Sequence, residues 1–371
     1  MPQKDGKMTN KLIKGMGIGG WLTNYKRFNV LPDEWRLALT EGDFEHFDSF
    51  ITRRDIDYIA SLGFDHIRLG FDQIVVEEAP FVYRERTIRK IDDFVEWCEA
   101  AGVRPILNLH KAVGNYCDIP EKIQLLDDET LQDRFAALWV ELERRYAGKP
   151  SVAFELLNEV RDVDADKWNA LCARTLAAIR GLNAERLVIV GGTQWNSARA
   201  LDKMKTYDDP NVLYTFHMYE PFEFTHQRGV LQAPTLYYNR ELSYPCADIE
   251  RYRGYHRLVL NKPNAYRDFS VIDINYLREA MAGAKKFRDE NPDKILWLGE
   301  FGTIRHADPE SRENYMRDVI SLCREWGIPY CVWNYLSTPN DGNRFSLVDD
   351  DTRKVLTPRL ERIIKGEELC R

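Results

Sequence analysis

About eight times along the chain, a short aliphatic run ending in polar residues gives way to a longer stretch with apolar residues at helical spacing. The short runs are residues 14–19, 65–69, 104–110, 152–159, 186–191, 212–219, 294–300 and 329–335. Between them, residues 88–101 place Ile88, Ile91, Val95 and Cys98 at steps of three and four, on one helical face, and Gly102 follows as a helix stop. Phe135, Leu138 and Leu142 repeat the pattern in 131–146, and 167–180, 275–288 and 312–326 behave likewise. Strands separated by helices must cross over to pair, which gives a parallel sheet with helices outside it. Eight such units predict an α/β fold whose sheet closes into a (β/α)8 TIM barrel, read as one catalytic domain over residues 1–371.

One interval breaks the rhythm. Residues 220–270 include Phe222, Phe224, Tyr237, Tyr238, Tyr244, Tyr252 and Tyr255. A connection this long in a compact domain is functional or carries short elements of its own. It is read as an insertion over the active face, with a packed surface subdomain as the alternative.

The loops that follow barrel strands meet at one mouth, so residues at the C-terminal strand ends form the site. In chain order these are Arg68, His110, Asn158 with Glu159, His217 with Tyr219, Glu300, and Trp333. Two carboxylates thus arrive from the fourth and seventh strands, across the mouth from each other. Glycoside hydrolysis needs two carboxyl groups flanking one bond. One protonates the leaving oxygen and the other attacks the anomeric carbon, at a separation of about 5–5.5 Å in retaining enzymes. An arginine and a tyrosine hydroxyl are suitable donors to an ionised nucleophile. A neighbouring carboxylate raises the pKa of the acid, and His217 could tune it. Asn158 and His110 suit sugar hydroxyls, and the Trp333 indole suits the apolar face of a pyranose. His217 and Tyr219 lie two apart on one strand and project to the same side.

These motifs resemble those of glycoside hydrolase family 5, the cellulase family. Leu156-Leu157-Asn158-Glu159 is similar to its fourth-strand signature, and Leu298-Gly299-Glu300-Phe301-Gly302 to its nucleophile strand. His217-Met218-Tyr219-Glu220-Pro221-Phe222 resembles its sixth-strand histidine and tyrosine, and Arg68, His110 and Trp333 stand where the family keeps other site residues. The resemblance implies Glu159 as general acid/base and Glu300 as nucleophile, with Arg68 and Tyr219 supporting the nucleophile. It further implies Asn158 on the substrate 2-hydroxyl and His110, His217 and Trp333 around the cleaved sugar.

The expected reaction is retaining hydrolysis of β-linked, β-1,4, gluco- or manno-configured oligosaccharides, β-glucosidase or β-mannosidase among them. An endo-β-1,4-glucanase acting on polymer is the alternative. A metal-dependent barrel hydrolase would want a His-x-His or similar ligand cluster, and the seven histidines contain no such pair. A non-catalytic sugar-binding barrel would have lost a carboxylate. No metal or cofactor is expected. Gly15-Met16-Gly17-Ile18-Gly19-Gly20 fits a dinucleotide fingerprint literally, but residues 21–35 carry no helical stripe to open after it.

A formal net charge of −7 argues against a nucleic-acid partner, and no run is apolar enough for a membrane span. The N-terminus has no apolar signal core and the seven cysteines form no Cys-x-x-Cys pair, so a cytoplasmic location with reduced thiols is expected. Several residues are open between site and packing: His226, Trp21 and Trp195, and Asn340, Asp341 and Arg344 after the last strand. Asp349-Asp350-Asp351 reads as a turn or helix cap rather than a cation site.

Overall fold

In the computed structural model, which describes residues 12–24, 38–115, 124–263, 265–339 and 341–370, eight parallel strands close into a barrel. They are β1 (Lys14–Leu22), β2 (His66–Asp72), β3 (Arg104–Lys111), β4 (Ala153–Glu155), β5 (Leu187–Gly191), β6 (Val212–Met218), β7 (Leu296–Phe301) and β8 (Tyr330–Val332). Each strand pairs with its neighbours in sequence, and β8 closes onto β1 through the Lys14–Tyr330 register. All eight candidate strands are present. β4 and β8 are the short ones, at three residues each, and backbone hydrogen bonds to their neighbours continue beyond both, from Asn158 N–H to the Leu109 carbonyl and from Trp333 N–H to the Phe301 carbonyl.

The barrel interior is packed. Ile106, Ala153, Leu187, Ile189, Leu213, Trp297 and Cys331 point inward from six strands and form a dry plug at its base. A separate and larger cluster fills the space between the outer faces of the strands and the helices. Helix Glu85–Ala101 ends on Gly102 in the left-handed conformation, and Pro309–Trp326 starts on the Asp308 side chain, which accepts from the Ser311 N–H. Both are sequence-legible stops and starts.

Two expectations need correction. The single helix over 275–288 is in fact two, Ile274–Ala280 and Ala282–Glu290, broken at Met281. The sequence reading also passed over two helices between β1 and β2, Glu41–Ser49 and Arg53–Ser61. Each opens on a Thr-x-x-Asp signature. Asp43 accepts from the Thr40 backbone N–H at 2.7 Å, and Asp55 from that of Thr52 at 2.8 Å. That spacing is the reciprocal cap that shields two orphan amides at a helix start.

The 220–270 interval carries three short helices, Phe222–Thr225, Ala233–Tyr238 and Ile249–Leu258. It divides in two. Phe222, His226 and residues 230–234 line the cavity at the mouth. Further on, Leu242, Tyr244 and Tyr252 are buried against the outer core. Among the described residues, no helix is long and apolar enough to cross a membrane.

Candidate active site

A cavity of about 930 Å³ opens at the C-terminal mouth of the barrel, and seven of the eight expected site residues line it: His110, Asn158, Glu159, His217, Tyr219, Glu300 and Trp333. The eighth, Arg68, lies beneath the floor with none of its surface exposed. Its position follows from strand periodicity: on β2, His66, Arg68 and Gly70 all point inward.

Arg68 organises the floor. Its Nε and Nη2 donate to Glu155 on β4 at 2.5 and 2.9 Å, Nη2 also donates to Asn158 Oδ1 at 2.6 Å, and Nη1 donates to Glu300 Oε1. Burial disfavours the guanidinium charge, but Glu155 and Glu300 outweigh it and push its pKa above the ordinary arginine value. Glu155 is a site residue that the sequence reading missed. Its position on β4, three residues before Asn158, was the available signal.

Glu300 reaches the cavity through an irregularity. Trp297 faces the barrel interior and Leu298 the outer core, so simple alternation would turn Glu300 outward. A register shift between β6 and β7 sets His217 opposite Glu300 instead, as bulges do when they re-aim a side chain. Glu300 Oε2 then accepts from the Tyr219 hydroxyl at 2.8 Å. Burial, with the Glu300 and Glu159 charges behind it, raises the Tyr219 pKa well above the tyrosine range, so this hydroxyl keeps its proton and acts as a donor.

Glu159 approaches from the opposite rim. His217 Nδ1 lies 2.8 Å from Glu159 Oε1 and 3.8 Å from Glu300 Oε2. Burial lowers the His217 pKa to about 4, so the ring is neutral near pH 7. A neutral imidazole nitrogen can donate to the Glu159 carboxylate or accept the proton of its acid form, according to tautomer. One donor atom from each of Glu159, His217 and Glu300 lies within 4.8 Å of the others. The two carboxylates therefore stand on the short side of the range for carboxyl pairs that flank a glycosidic bond.

The wall beside this pair is aromatic and polar. Trp333 stacks on His110, ring centroids 5.2 Å apart. His110 Nδ1 meets Asn108 Oδ1 at 3.0 Å, and Asn24 Nδ2 approaches His110 Nε2 at 3.1 Å. Burial, followed by the positive charges of Arg68 and Lys111, depresses the His110 pKa. The ring then donates from Nδ1 and accepts at Nε2. The glycines of β1 make room for Trp333: a Cβ on Gly17 or Gly19 would fall 2.8 or 2.7 Å from its indole. This explains the glycine-rich run without a nucleotide, and it lies inside a strand rather than at a helix start. We expect Gly19→Ala to displace the indole and lower kcat/KM by at least about tenfold, a loss of about 1.4 kcal/mol in transition-state binding. Unchanged kinetics would remove Trp333 from the binding wall.

The undecided residues separate cleanly. Trp21 is fully buried, its Nε1 donating to the Phe47 carbonyl at 2.8 Å, and serves packing. Trp195 lines the cavity with 40% of its surface exposed, and the Arg161 guanidinium lies 5.2 Å from its ring centroid. Asp341 lines the cavity, and Arg344 pairs with Asp350. Asp349 accepts from the Thr352 N–H at 2.9 Å, a turn as expected. Asn340 lies outside the described residues.

His226 lines the cavity, stacked on Phe222 at 4.0 Å. Burial alone lowers its pKa to about 3. In the unfolded chain it would take up a proton near the ordinary value of 6.5. Between those two values the unfolded state binds the extra proton, so stability falls as pH drops through this window. We expect Tm to decline from pH 7 towards pH 4, and the decline to be shallower in His226→Gln. Parallel Tm profiles for the two proteins would show that His226 is not held neutral.

Comparison with known proteins identifies the family. Residues 42–338 match the family model described as cellulase (glycosyl hydrolase family 5). Endoglucanase C of Acetivibrio thermocellus is 35% identical over 357 residues, covering 94% of this chain and 97% of that protein. Cellodextrinase A of Ruminococcus flavefaciens is 34% identical over 322 residues, covering 85% and 83%. The structure of Thermotoga maritima Cel5A in complex with cellobiose shares the fold, with a TM-score of 0.71 at 24% identity over 95% of this chain and 97% of that one. The barrel, the paired glutamates at its mouth and these matches together make the chain a member of glycosyl hydrolase family 5, a glycoside hydrolase.

Proposed function

We propose that the protein hydrolyses short β-1,4-linked gluco-oligosaccharides with retention, using Glu300 as nucleophile and Glu159 as acid/base. The observation that carries this is the close approach of the two carboxylates, with Arg68 and Tyr219 donating to one and His217 beside the other. Glu300 attacks the anomeric carbon while the Glu159 proton passes to the departing glycosidic oxygen. The glycosyl–Glu300 ester forms as the C–O bond breaks. Glu159, now a carboxylate, takes a proton from water as its oxygen attacks the anomeric carbon, and Glu300 leaves as a carboxylate. The neutral His217 ring suits both steps, because it can pair with either protonation state of Glu159. Asn158, held by Arg68 through its oxygen, turns its amide towards a sugar hydroxyl, and His110 and Trp333 hold the ring that is attacked.

Cellodextrinase A, by its name, acts on short chains, and this supports the oligosaccharide reading. The name endoglucanase C supports a second reading, attack within a polymer. The test is a panel of cello- and manno-oligosaccharides with the matching soluble polymers, NMR of fresh product, and one assay with chelator. Retained β-configuration, faster turnover of short chains than of polymer, and indifference to chelator are expected. Inverted product would refute the two-glutamate displacement. A rapid fall in polymer viscosity would favour the endoglucanase. Loss of activity on chelation would mean that Glu159, His217 and Glu300 hold a cation.

A further inference from the structure

β4 ends at Glu155, so Glu159 stands past the strand and takes its place at the mouth from bonds made outside it. Those bonds come from two loops. On one side is Asn115, buried in the loop after β3, whose Nδ2 donates to the Glu159 carbonyl at 2.9 Å. Asn115 is itself fixed in a tight turn, its N–H donating to the Ala112 carbonyl at 3.0 Å. On the other side is the loop after β5. There the Trp195 N–H donates to the Val160 carbonyl at 2.7 Å and the Gln194 N–H to the Arg161 carbonyl at 3.0 Å. Three successive carbonyls of the acid/base segment are thus held, the first by a side chain and the next two by main chain.

The second loop adopts an unusual backbone to do this. Gln194, Trp195 and Asn196 all lie in the left-handed region, with φ of 54°, 55° and 56°. Residues with a Cβ seldom take this conformation in succession, and it persists only where the surrounding contacts impose it. Asn196 supplies the lock. It is buried, and its Oδ1 accepts from the Gly192 N–H at 2.9 Å. A Cβ on Gly191 would fall 2.7 Å from that oxygen, so the strand end is shaped to admit it. The turn runs on to Ser197, which forms a parallel bridge with His217. One turn therefore holds both the main chain that follows Glu159 and the strand that carries the imidazole beside its carboxylate.

We propose that Asn115 and the Gln194–Asn196 turn clasp the acid/base segment and set the reach of the Glu159 proton to the departing oxygen. This rests on the assignment of Glu159 as acid/base above. Asn115 and Asn196 are positioning residues, which act through the main chain and take no part in the bond changes. Their effect falls on proton transfer, because Glu300 is held by other partners, Arg68 and Tyr219.

The experiment compares phenyl β-cellobioside with 2,4-dinitrophenyl β-cellobioside in wild type, Asn115→Ala, Asn196→Ala and Glu159→Ala. The quantity is kcat/KM, which reports the steps up to the glycosyl–Glu300 ester. Phenolate needs a proton to leave well, and dinitrophenolate does not. The ratio of the two values for one protein is independent of how much of that protein is folded. Glu159→Ala is expected to lose about 10²-fold or more on the phenyl substrate and little on the other, as loss of a general acid requires. Asn115→Ala and Asn196→Ala are expected to lose about tenfold on the phenyl substrate and to stay within about twofold of wild type on the other, as a displaced acid requires. A ratio unchanged from wild type in either variant, whether through equal losses or through none, would overturn the clasp. A variant inactive on both substrates would place its residue in the general integrity of the barrel and overturn it equally. Equal losses on both substrates in Glu159→Ala would instead overturn the acid/base assignment, and wild type that cleaves neither would overturn the hydrolytic reading.

Discussion

Glu300→Gln will lower kcat on cello-oligosaccharides by about 10⁴-fold or more, the scale seen when a nucleophile is removed from a preorganised site. Glutamine keeps the shape: its one amide oxygen can accept from Arg68, while its NH2 can donate to the Tyr219 hydroxyl oxygen, so the loss will not come from collapse of the floor. Its amide oxygen cannot displace the leaving group and then depart as a stable carboxylate. Thermal stability should therefore stay near wild type while turnover disappears. Steady-state kinetics beside a melting curve read both quantities. Retention of more than about one per cent of kcat would exclude Glu300 as nucleophile.

Arg68→Met should have its largest effect on stability. Arg68 is fully buried, and it pairs with both Glu155 and Glu300 on the barrel floor. Removing one member of a buried ion cluster leaves charge without compensation and costs about 3–5 kcal/mol. Glu155 has none of its surface exposed, so it cannot turn to solvent. Adding Glu155→Gln to Arg68→Met should recover part of the lost stability, because it removes the stranded carboxylate. It should not recover turnover, since Glu300 and Asn158 still lack the guanidinium that orients them. Urea unfolding of wild type, single and double variants tests this. A single variant as stable as wild type would show that the cluster is not a structural keystone, and full activity in the double variant would show that Arg68 does not position Glu300.

Much of this was legible in the sequence. The alternation of strand and helical periodicity depends on which residues face the core, and the barrel satisfies it unit by unit. Strand ends give the site because the topology brings them to one mouth. This is how residues as far apart in the chain as Arg68 and Trp333 come to line or floor one cavity. The less legible parts depend on local departures from regular geometry. Alternation along β7 would have turned Glu300 outward, and only the register shift against β6 brings it in. Glu155 reads as one more residue of a short strand until Arg68 is placed opposite it. The 275–288 stripe continues through Met281, because the apolar spacing survives a break in the backbone that periodicity does not register. The Thr-x-x-Asp caps before residues 41 and 53 carried a readable signal, but each helix spans only nine residues and the apolar stripe of the first is weak. The aromatic interval 220–270 suggested a cover or a packed subdomain, and spacing alone does not separate its cavity-lining residues Phe222, His226 and 230–234 from Leu242, Tyr244 and Tyr252, which pack into the outer core.

In the proposed mechanism Glu300 forms the glycosyl–enzyme bond while Glu159 handles the proton. Incubation with 2-deoxy-2-fluoro-β-cellobiosyl fluoride slows both steps but keeps a good leaving group, so the covalent intermediate accumulates. Proteolysis and mass spectrometry then locate the sugar. The expected result is one fluorocellobiosyl unit on the peptide that contains Glu300, absent in Glu300→Gln and still formed in Glu159→Ala, where the fluoride needs no acid. A label on Glu159, or no label under conditions where the substrate analogue inactivates the enzyme, would contradict the assignment.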